Sequence, residues 1–313
     1  MSETRRPDLV VIVGPTGAGK TEVAEDLARR RSGEIISADA FAVYRRFDVG
    51  TAKPTPARRA EVPYHLVDVA EPDESFSAGR WAAMARQAAE EIRARGNLPI
   101  IAGGSGFYVS ALLDGLPEGE ASDPELRRRL TQWARAKPEE ARRLLEVNDP
   151  VSASRIRPAN VRYALRALEI LLVTGEPASV RRPPEPSWRR SWRVLQFGIA
   201  PDRATLHARI QRRVREMIDA GWDEEVRQLL GSGLSLETSA FSAIGYREVA
   251  DWVMGGASKS ETEKKILAAT RQLAKRQRTW FSRERGLRWL EPDQAIPEIL
   301  ATLEETGETE RNG

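Results

Sequence analysis

The stretch of sequence that decides the fold is Gly14-Pro15-Thr16-Gly17-Ala18-Gly19-Lys20-Thr21. It fits the pattern G-x-x-x-x-G-K-[ST] at every fixed position, between an apolar run and a helical pattern that begins at Lys20. Glycines let the backbone wrap a phosphate, so that successive N–H groups and the following helix N-terminus point at it. Lys20 adds a positive charge, and Thr21 adds a hydroxyl that binds Mg²⁺. The stretch therefore predicts a P-loop that holds a diphosphate or triphosphate.

Short β-like runs alternate with helical stretches on either side of this loop, which indicates a parallel sheet covered by helices. We predict strands at residues 9–13, 33–37, 65–69, 98–102 and 194–200. One long amphipathic helix is predicted over residues 205–230, and another over 260–285. The predicted fold class is α/β. Its core is a parallel sheet of the P-loop nucleoside-triphosphate-hydrolase type with helices on both faces, a helical insertion and C-terminal helices.

The predicted domain organisation has three parts. Residues 8–119 and 176–290 form the core with its C-terminal helices, residues 120–175 form the helical insertion, and residues 291–313 form an acidic tail that frays after Pro297. The 313 residues include no cysteine, which excludes disulfides and thiolate metal sites. The apolar runs are too short to cross a bilayer, and the first residues are polar and charged. We therefore expect a cytoplasmic protein with no membrane partner, and nothing in the sequence requires more than a monomer.

The charge is distributed unevenly along the chain. Residues 155–290 carry 26 Lys and Arg against 15 Asp and Glu, whereas residues 1–154 carry 22 against 24. Such a local basic excess indicates a polyanionic partner such as a nucleic acid. Arginine outnumbers lysine 42 to 7, so a solvated surface in an arginine-rich proteome explains the same excess. Charge alone leaves both interpretations open.

Asp39 follows the second predicted strand, at the sheet edge where open α/β folds bind ligands. A carboxylate beside a phosphate-bound substrate is a metal ligand or a general base, whereas a loop or helix cap is the purely structural alternative. The P-loop does not reveal which bond is broken. Read alone, it favours an ATP-binding nucleotide or metabolite kinase.

Further blocks downstream of the P-loop form a recognisable series. Asp48 to Pro54 reads D-V-G-T-A-K-P, residues 103–108 read G-G-S-G-F-Y, and residues 270–280 read T-R-Q-L-A-K-R-Q-R-T-W. Between them stand P-Y-H-L-V-D at 63–68, R-A-L-E at 166–169 and I-G-Y-R-E at 244–248. Taken in chain order from Gly14 to Trp280, these blocks resemble those of the bacterial-type tRNA dimethylallyltransferases. This family is also called the tRNA isopentenyltransferases or the IPP transferase family.

The resemblance implies a reaction. A dimethylallyl group would pass from dimethylallyl diphosphate to N6 of the adenosine 3′ of the anticodon in tRNA, with release of diphosphate. The loop residues 14–21 would hold the donor diphosphate instead of ATP, with Mg²⁺ at Thr21. By the same resemblance Asp39 is the base that takes the N6 proton, and Arg213 steadies the leaving diphosphate. Asp39, Arg213 and Thr21 are thus the expected catalytic residues.

The resemblance also implies an RNA surface for the anticodon stem-loop, and it places the grip on the stem in the helical insertion. The expected tRNA-binding residues are Asp39, Ala40, Phe41, Ala42, Ser105, Arg127, Ile244, Gly245, Tyr246, Arg247, Lys275, Arg276, Gln277, Arg278 and Trp280. Phe107, Tyr108, Tyr246 and Trp280 are aromatic candidates for stacking on bases, with core packing as the alternative.

Several positions depart from the family pattern. Ala40 replaces a usual serine, Phe41 and Ala42 replace smaller or polar residues, and Tyr163 stands where arginine is common. These changes concern the acceptor pocket and leave the diphosphate site whole. Two other functions remain to be tested against the transferase: a small-molecule kinase, and an RNA-binding module with a vestigial P-loop.

Overall fold

The structure is a computed structural model, and it describes residues 7–116, 123–181 and 188–308. The chain divides into two compact units: Asp114–Ser187, and the remainder, Met1–Leu113 with Trp188–Gly313. The first part of the larger unit contains β1 (Leu9–Val13), α1 (Lys20–Arg31), β2 (Gly33–Ser37), α2 (Pro56–Glu61), β3 (Tyr64–His65), α3 (Ala78–Ala94), β4 (Leu98–Gly103) and α4 (Gly106–Leu113).

The smaller unit, which we call the helical unit, contains α5 (Pro124–Ala136), α6 (Pro138–Asn148), α7 (Pro150–Arg155) and α8 (Val161–Thr174). Prolines at the first position of α5, α6 and α7 suit helix starts, where their missing N–H has no partner to lose. The core of the unit is built on buried Leu130, Leu145 and Leu168. The predicted insertion of 120–175 lies inside this unit, but its boundary between 119 and 120 lies outside the described residues. The domain boundaries stay a prediction.

The rest of the larger unit contains α9 (Trp188–Ser191), β5 (Val194–Ile199), α10 (Arg203–Asp219), α11 (Trp222–Gly231), α12 (Tyr246–Val253), α13 (Lys259–Phe281), β6 (Leu287–Leu290) and α14 (Pro292–Glu308). All six strands form one parallel sheet in the order β3-β2-β4-β1-β5-β6. The predicted α/β fold class with a parallel P-loop core is confirmed.

Strand β1 lies inside the sheet, where Val10 pairs with Ile100 of β4 and with Leu195 of β5. All five of its residues are buried, which explains why it reads as a continuous apolar run and not as an alternating one. Because the strands are parallel, the segments that follow β1, β2 and β4 leave the sheet at the same edge. This edge carries the P-loop, Asp39 and Gly104.

Some predicted elements were wrong. The strand predicted at 65–69 is only Tyr64–His65, because Leu66 and Asp68 have positive φ and turn the chain. The helix predicted at 205–230 is two helices, α10 and α11, separated at Gly221 with φ 87°. Strand β6 was not predicted at all.

The C-terminal segment does not fray where we expected. Helix α14 runs without interruption across Pro297 to Glu308, and Ala295 and Ile299 on it are fully buried. Its acidic residues also form ion pairs, as when Arg31 binds Glu304 at 2.6 Å. Most of the predicted acidic tail is therefore a packed helix. No helix in the described ranges is both long and apolar enough to cross a membrane.

Candidate active site

The P-loop has backbone conformations that favour glycine, as Gly14 and Gly19 show. Gly14 has φ 146°, and a Cβ there would lie 2.3 Å from the carbonyl oxygen of Ile199. Gly19 caps α1 with φ 94°, in the left-handed region that side chains disfavour. The loop therefore turns tightly against the end of β5 and presents the N-terminus of α1, an arrangement that attracts anions.

Lys20 lies at the start of α1, and its Nζ donates a hydrogen bond to the carbonyl of Pro15 at 2.7 Å. Burial, together with the positive charge of Arg213, lowers the pKa of Lys20 to about 8. The negative charges of Asp39 and Glu22 act in the opposite direction. Because this environment disfavours the charged form of Lys20, an anion that binds nearby would stabilise that form.

Helix α10 contributes two arginines that stand one turn apart on the same face. Arg209 donates to the carbonyl of Ala18 at 3.3 Å and so holds the P-loop from outside. Burial lowers the pKa of Arg213, while the charges of Asp39 and Glu22 oppose that effect. Among the described residues Arg213 forms no ion pair. Lys20 and Arg213 therefore concentrate positive charge beside the helix N-terminus, as a bound diphosphate requires.

Asp39 follows β2 and interacts electrostatically with both Lys20 and Arg213. Its Oδ1 accepts the backbone N–H groups of Phe41 at 2.8 Å and of Ala42 at 3.2 Å. Within the described ranges Oδ2 has no hydrogen-bond partner. One oxygen of the carboxylate thus fixes the loop after β2, and the other is available for chemistry.

Helix α13 closes the site on a further side through Gln277. The Oε1 of Gln277 accepts the N–H of Thr16 at 2.8 Å, and its Nε2 donates to the carbonyl of Gly104 at 3.0 Å. The sequence assigned Gln277 to tRNA alone, whereas the structure places its side chain on the P-loop. The side chain of Trp280, one turn further on, packs over Gly106.

The remaining residues predicted to bind tRNA fall into exposed and buried groups. The exposed ones are Arg247, Lys275, Arg276, Arg278 and Trp280, the last with 41% of its surface accessible. Ala40, Phe41, Ser105 and Ile244 are half-buried, and Ala42 and Gly245 are buried. Among the described residues Lys275, Arg276 and Arg278 form no ion pair, so their charges are free to meet phosphates.

Tyr246, which we predicted to bind tRNA, lies in the core of this structure, and its contact with RNA stays a prediction. It is fully buried, and its ring lies 4.6 Å from that of Phe47. Its hydroxyl donates to Glu225 Oε1 at 2.7 Å and accepts the N–H of Gly50 at 3.2 Å. Tyr246 therefore holds the loop that begins at Asp48. Tyr108 is also buried and stacks on Trp81, whereas Phe107 is 53% exposed.

Two residues that the sequence did not single out fix the same loop. Glu225 Oε2 accepts the N–H groups of Asp48 and Val49, each at 2.8 Å. Lys53 has a side chain that is 1% exposed, and its Nζ donates to Asp68 and to the carbonyl of Tyr44, each at 2.7 Å. The only available signal was the presence of Lys53 in the D-V-G-T-A-K-P block.

A cavity of about 840 Å³ lies between this loop and helix α10. Arg213 stands in its wall, and Val49, Ala52 and Met217 supply apolar surface. The wall also carries charges of both signs, on Lys53, Arg59, Asp48, Asp68 and Glu216.

Arg127 lies in the helical unit, where its Nε and Nη2 donate to the carboxylate of Glu169, both at 2.9 Å. Arg166 pairs with the same carboxylate at 2.9 Å. Although burial acts to raise it, these hydrogen bonds hold the pKa of Glu169 below its ordinary value. The guanidinium of Arg127 is therefore held in place by a buried carboxylate, and its contact with RNA stays a prediction.

A divalent metal fits this site only if a bound phosphate supplies some of its ligands. The described residues contain no group of three or more His, Cys, Asp or Glu side chains that would hold an ion by themselves. Mg²⁺ commonly takes only one or two protein ligands and completes its shell with phosphate oxygens and water. The hydroxyl of Thr21, at the first turn of α1, is suited to that role beside a bound diphosphate.

Comparison with known proteins identifies the family. A family model described as IPP transferase matches residues 42–284, and one described as isopentenyl transferase matches residues 7–68. The chain belongs to the IPP transferase family. A tRNA dimethylallyltransferase of Solibacter usitatus is 42% identical over 294 residues, which cover 94% of this chain and 96% of that protein. One of Desulfosudis oleivorans is 40% identical over 295 residues, with 94% of each chain covered.

Two solved structures agree with the fold. The crystal structure of the full-length tRNA isopentenylpyrophosphate transferase from Bacillus halodurans is 34% identical, with a TM-score of 0.70 over 97% of this chain and 99% of that one. A eukaryotic dimethylallyltransferase acting on tRNA has a TM-score of 0.80 at 23% identity, over 97% of this chain and 79% of that one. This second likeness concerns the fold.

Proposed function

We propose that this protein transfers the dimethylallyl group of dimethylallyl diphosphate to N6 of the adenosine 3′ of the anticodon in tRNA, and releases diphosphate. The observation that carries the proposal is that Lys20, Arg213 and Asp39 gather around the P-loop. Lys20 begins α1, and Asp39 follows β2 at the same end of the sheet. Arg213 stands one turn from Arg209, which donates to the P-loop carbonyl of Ala18. Two cations beside a helix N-terminus suit a diphosphate, and a carboxylate facing them suits the removal of a proton. The names of the relatives, which specify tRNA and the transfer of a dimethylallyl group, support the same choice.

The donor binds with its diphosphate in the P-loop. There the loop amides, Lys20 and Arg213 interact with the negative charge of the diphosphate. In the reaction the allylic carbon–oxygen bond breaks and a carbon–nitrogen bond to N6 forms. Negative charge grows on the departing diphosphate, and Lys20 and Arg213 stabilise it most at that point. The Thr21 hydroxyl would hold Mg²⁺, which would neutralise further charge on the diphosphate oxygens.

Asp39 supplies the base. An exocyclic adenine amine is a weak nucleophile because its lone pair is delocalised into the ring. Oδ2 of Asp39 accepts the N6 proton as the carbon–nitrogen bond forms, while Oδ1 keeps its hydrogen bonds to Phe41 and Ala42. The adenine must leave its stack in the anticodon loop to reach this carboxylate.

The RNA partner is an anticodon stem-loop, which the exposed cations of α13 bind in part. The protein acts as a monomer in the cytoplasm. Lys275, Arg276 and Arg278 contact phosphates, which position the RNA without reading its sequence. The helical unit, with Arg127, grips the stem.

One experiment tests the reaction against the kinase alternative. The protein is incubated with unmodified tRNA, Mg²⁺ and dimethylallyl diphosphate, and the nucleosides are examined by mass spectrometry. Prenylated adenosine is expected, and its formation should be unaffected by the omission of ATP. A parallel sample with Lys20→Ala is the control for adventitious activity. Failure to prenylate any tRNA, together with phosphoryl transfer from ATP, would overturn the proposal.

A further inference from the structure

The side chain of Gln277 forms the only hydrogen-bonded link that the described residues show between helix α13 and the P-loop. Its Oε1 accepts the N–H of Thr16 at 2.8 Å, and its Nε2 donates to Gly104 at 3.0 Å. A backbone N–H has one hydrogen to donate. In this structure the N–H of Thr16 is therefore already engaged, although it belongs to the loop that receives the diphosphate.

The fit of Gln277 depends on the glycines that follow β4. A Cβ at Gly104 would lie 2.2 Å from Gln277 Nε2, and one at Gly106 would lie 2.2 Å from Trp280 Cδ1. Gln277 and Trp280 are three residues apart and share one helix face. This face of α13 is therefore seated on the loop after β4, and Gln277 reaches past it to the P-loop.

The opposite face of the same helix carries positive charge. Arg271, Lys275 and Arg278 stand at the i, i+4 and i+7 positions, and all three are exposed. None of them forms an ion pair with any described residue. A shift of two residues turns a helix by about 200°, so this stripe faces away from the stripe of Gln277 and Trp280. Helix α13 thus presents a cationic surface suited to phosphates on one side, and on the other side it contacts the P-loop through Gln277.

We propose that Gln277 is a positioning residue that couples RNA binding on α13 to donor binding in the P-loop. This inference rests on the proposed function. Before RNA binds, Gln277 occupies the N–H of Thr16, and a diphosphate must displace it. RNA on the cationic stripe favours the helix position in which Gln277 has released that N–H, so the donor then gains a hydrogen bond without displacing one.

Such coupling is reciprocal and can be measured with a ligand that does not react. Inorganic diphosphate with Mg²⁺ serves as the probe, titrated by calorimetry with and without an unmodified anticodon stem-loop RNA. For the unaltered protein we expect RNA to increase diphosphate affinity by about fivefold or more, because the hydrogen bond of an uncharged group contributes at about that level. In Gln277→Leu the affinity without RNA should rise toward the RNA-bound value, and RNA should then change it by less than about twofold.

Gln272→Leu is the matched control, because Gln272 lies on the same helix and is exposed, and its side chain has no hydrogen-bond partner within the described ranges. It should retain the full effect of RNA. If Gln277 only holds the fold together, Gln277→Leu will weaken diphosphate binding and leave the effect of RNA intact, which overturns the inference. Equal diphosphate affinity with and without RNA in the unaltered protein also overturns it. The prenylation assay is run on the same preparation. Prenylated product without coupling contradicts only the inference, whereas absence of product contradicts the proposed function.

Discussion

Asp39 accepts the backbone N–H of Phe41 through Oδ1 at 2.8 Å, so this carboxylate shapes its own loop as well as facing the P-loop cations. An asparagine at this position would retain an acceptor oxygen for that bond but would be too weak a base to take a proton. For Asp39→Asn we expect a melting temperature close to that of the unaltered protein. We also expect a single-turnover rate lower by about 10² to 10⁴, with little change in donor affinity.

Two alternatives for Asp39 give different results. If the carboxylate is only a loop cap, Asp39→Ala will melt early while Asp39→Asn turns over normally. If it is a metal ligand, added Mg²⁺ will partly restore the rate of Asp39→Asn. Either result would falsify the role of Asp39 as the base.

Lys20 should give donor binding a pH dependence of known sign. Its pKa of about 8 means that it is charged below pH 8 and becomes neutral above it. We expect the affinity for dimethylallyl diphosphate to be greatest below pH 8 and to fall as the pH rises further. Lys20→Arg keeps its charge throughout, so its affinity should show no such fall. Parallel decreases in both proteins would exclude Lys20 as the titrating group.

The same pKa shift affects stability in the opposite direction. The unfolded chain binds the Lys20 proton up to the ordinary pKa of 10.5, whereas the folded protein loses it near 8. Between these values the unfolded state holds more protons, so the Lys20 contribution to the free energy of unfolding rises with pH. Lys20→Met should remove that rise, as measured by urea denaturation at several pH values.

Lys275 and Arg276 should account for part of the salt dependence of tRNA binding. Both are exposed and form no ion pair within the described ranges. Replacement of both by alanine should reduce the slope of log affinity against log salt by about one unit for each phosphate that the protein no longer neutralises. Arg30→Ala is the control, because Arg30 is exposed but paired with Asp26 at 2.8 Å. An unchanged slope in the double variant would mean that the RNA lies elsewhere.

Tyr246 should behave as a structural residue. Tyr246→Phe removes the hydroxyl that bonds Glu225 and Gly50 but keeps the buried ring. We expect the free energy of unfolding to fall by about 1 kcal/mol, and tRNA affinity to stay within about twofold. A tenfold or greater loss of tRNA affinity at full stability would restore Tyr246 to the RNA surface.

The P-loop could be predicted from sequence because its pattern, its strand and its helix are contiguous. Strands β1, β2, β4 and β5 were located for the same reason, since buried parallel strands are apolar runs. Strand β6, residues 287–290, gave no such signal because its two central residues are exposed and only its last residue is buried. The break between α10 and α11 depends on a single glycine, Gly221, that amphipathic periodicity does not register.

The contacts that organise the site could not be predicted in this way. The bond from Thr16 to Gln277 joins residues 261 positions apart, and the bond from Asp48 to Glu225 joins residues 177 apart. A motif names the residue types but not their partners. Thus Gln277 and Tyr246 stood in recognisable blocks, and only the folded chain shows that one reaches the P-loop and the other is buried.

The separation of Thr16 from Gln277 has a consequence for the protein as it is synthesised. The P-loop leaves the ribosome early, but Ile199, against which Gly14 turns, and Gln277, which binds Thr16, are among the later residues to emerge. Domains emerge from the ribosome N-terminal part first, and closing so long a loop is slow. A nascent or prematurely terminated chain that ends before α13 therefore carries the complete phosphate-binding motif without the helix that organises it. In such a fragment the N–H of Thr16 lacks the partner that Gln277 gives it in the finished protein.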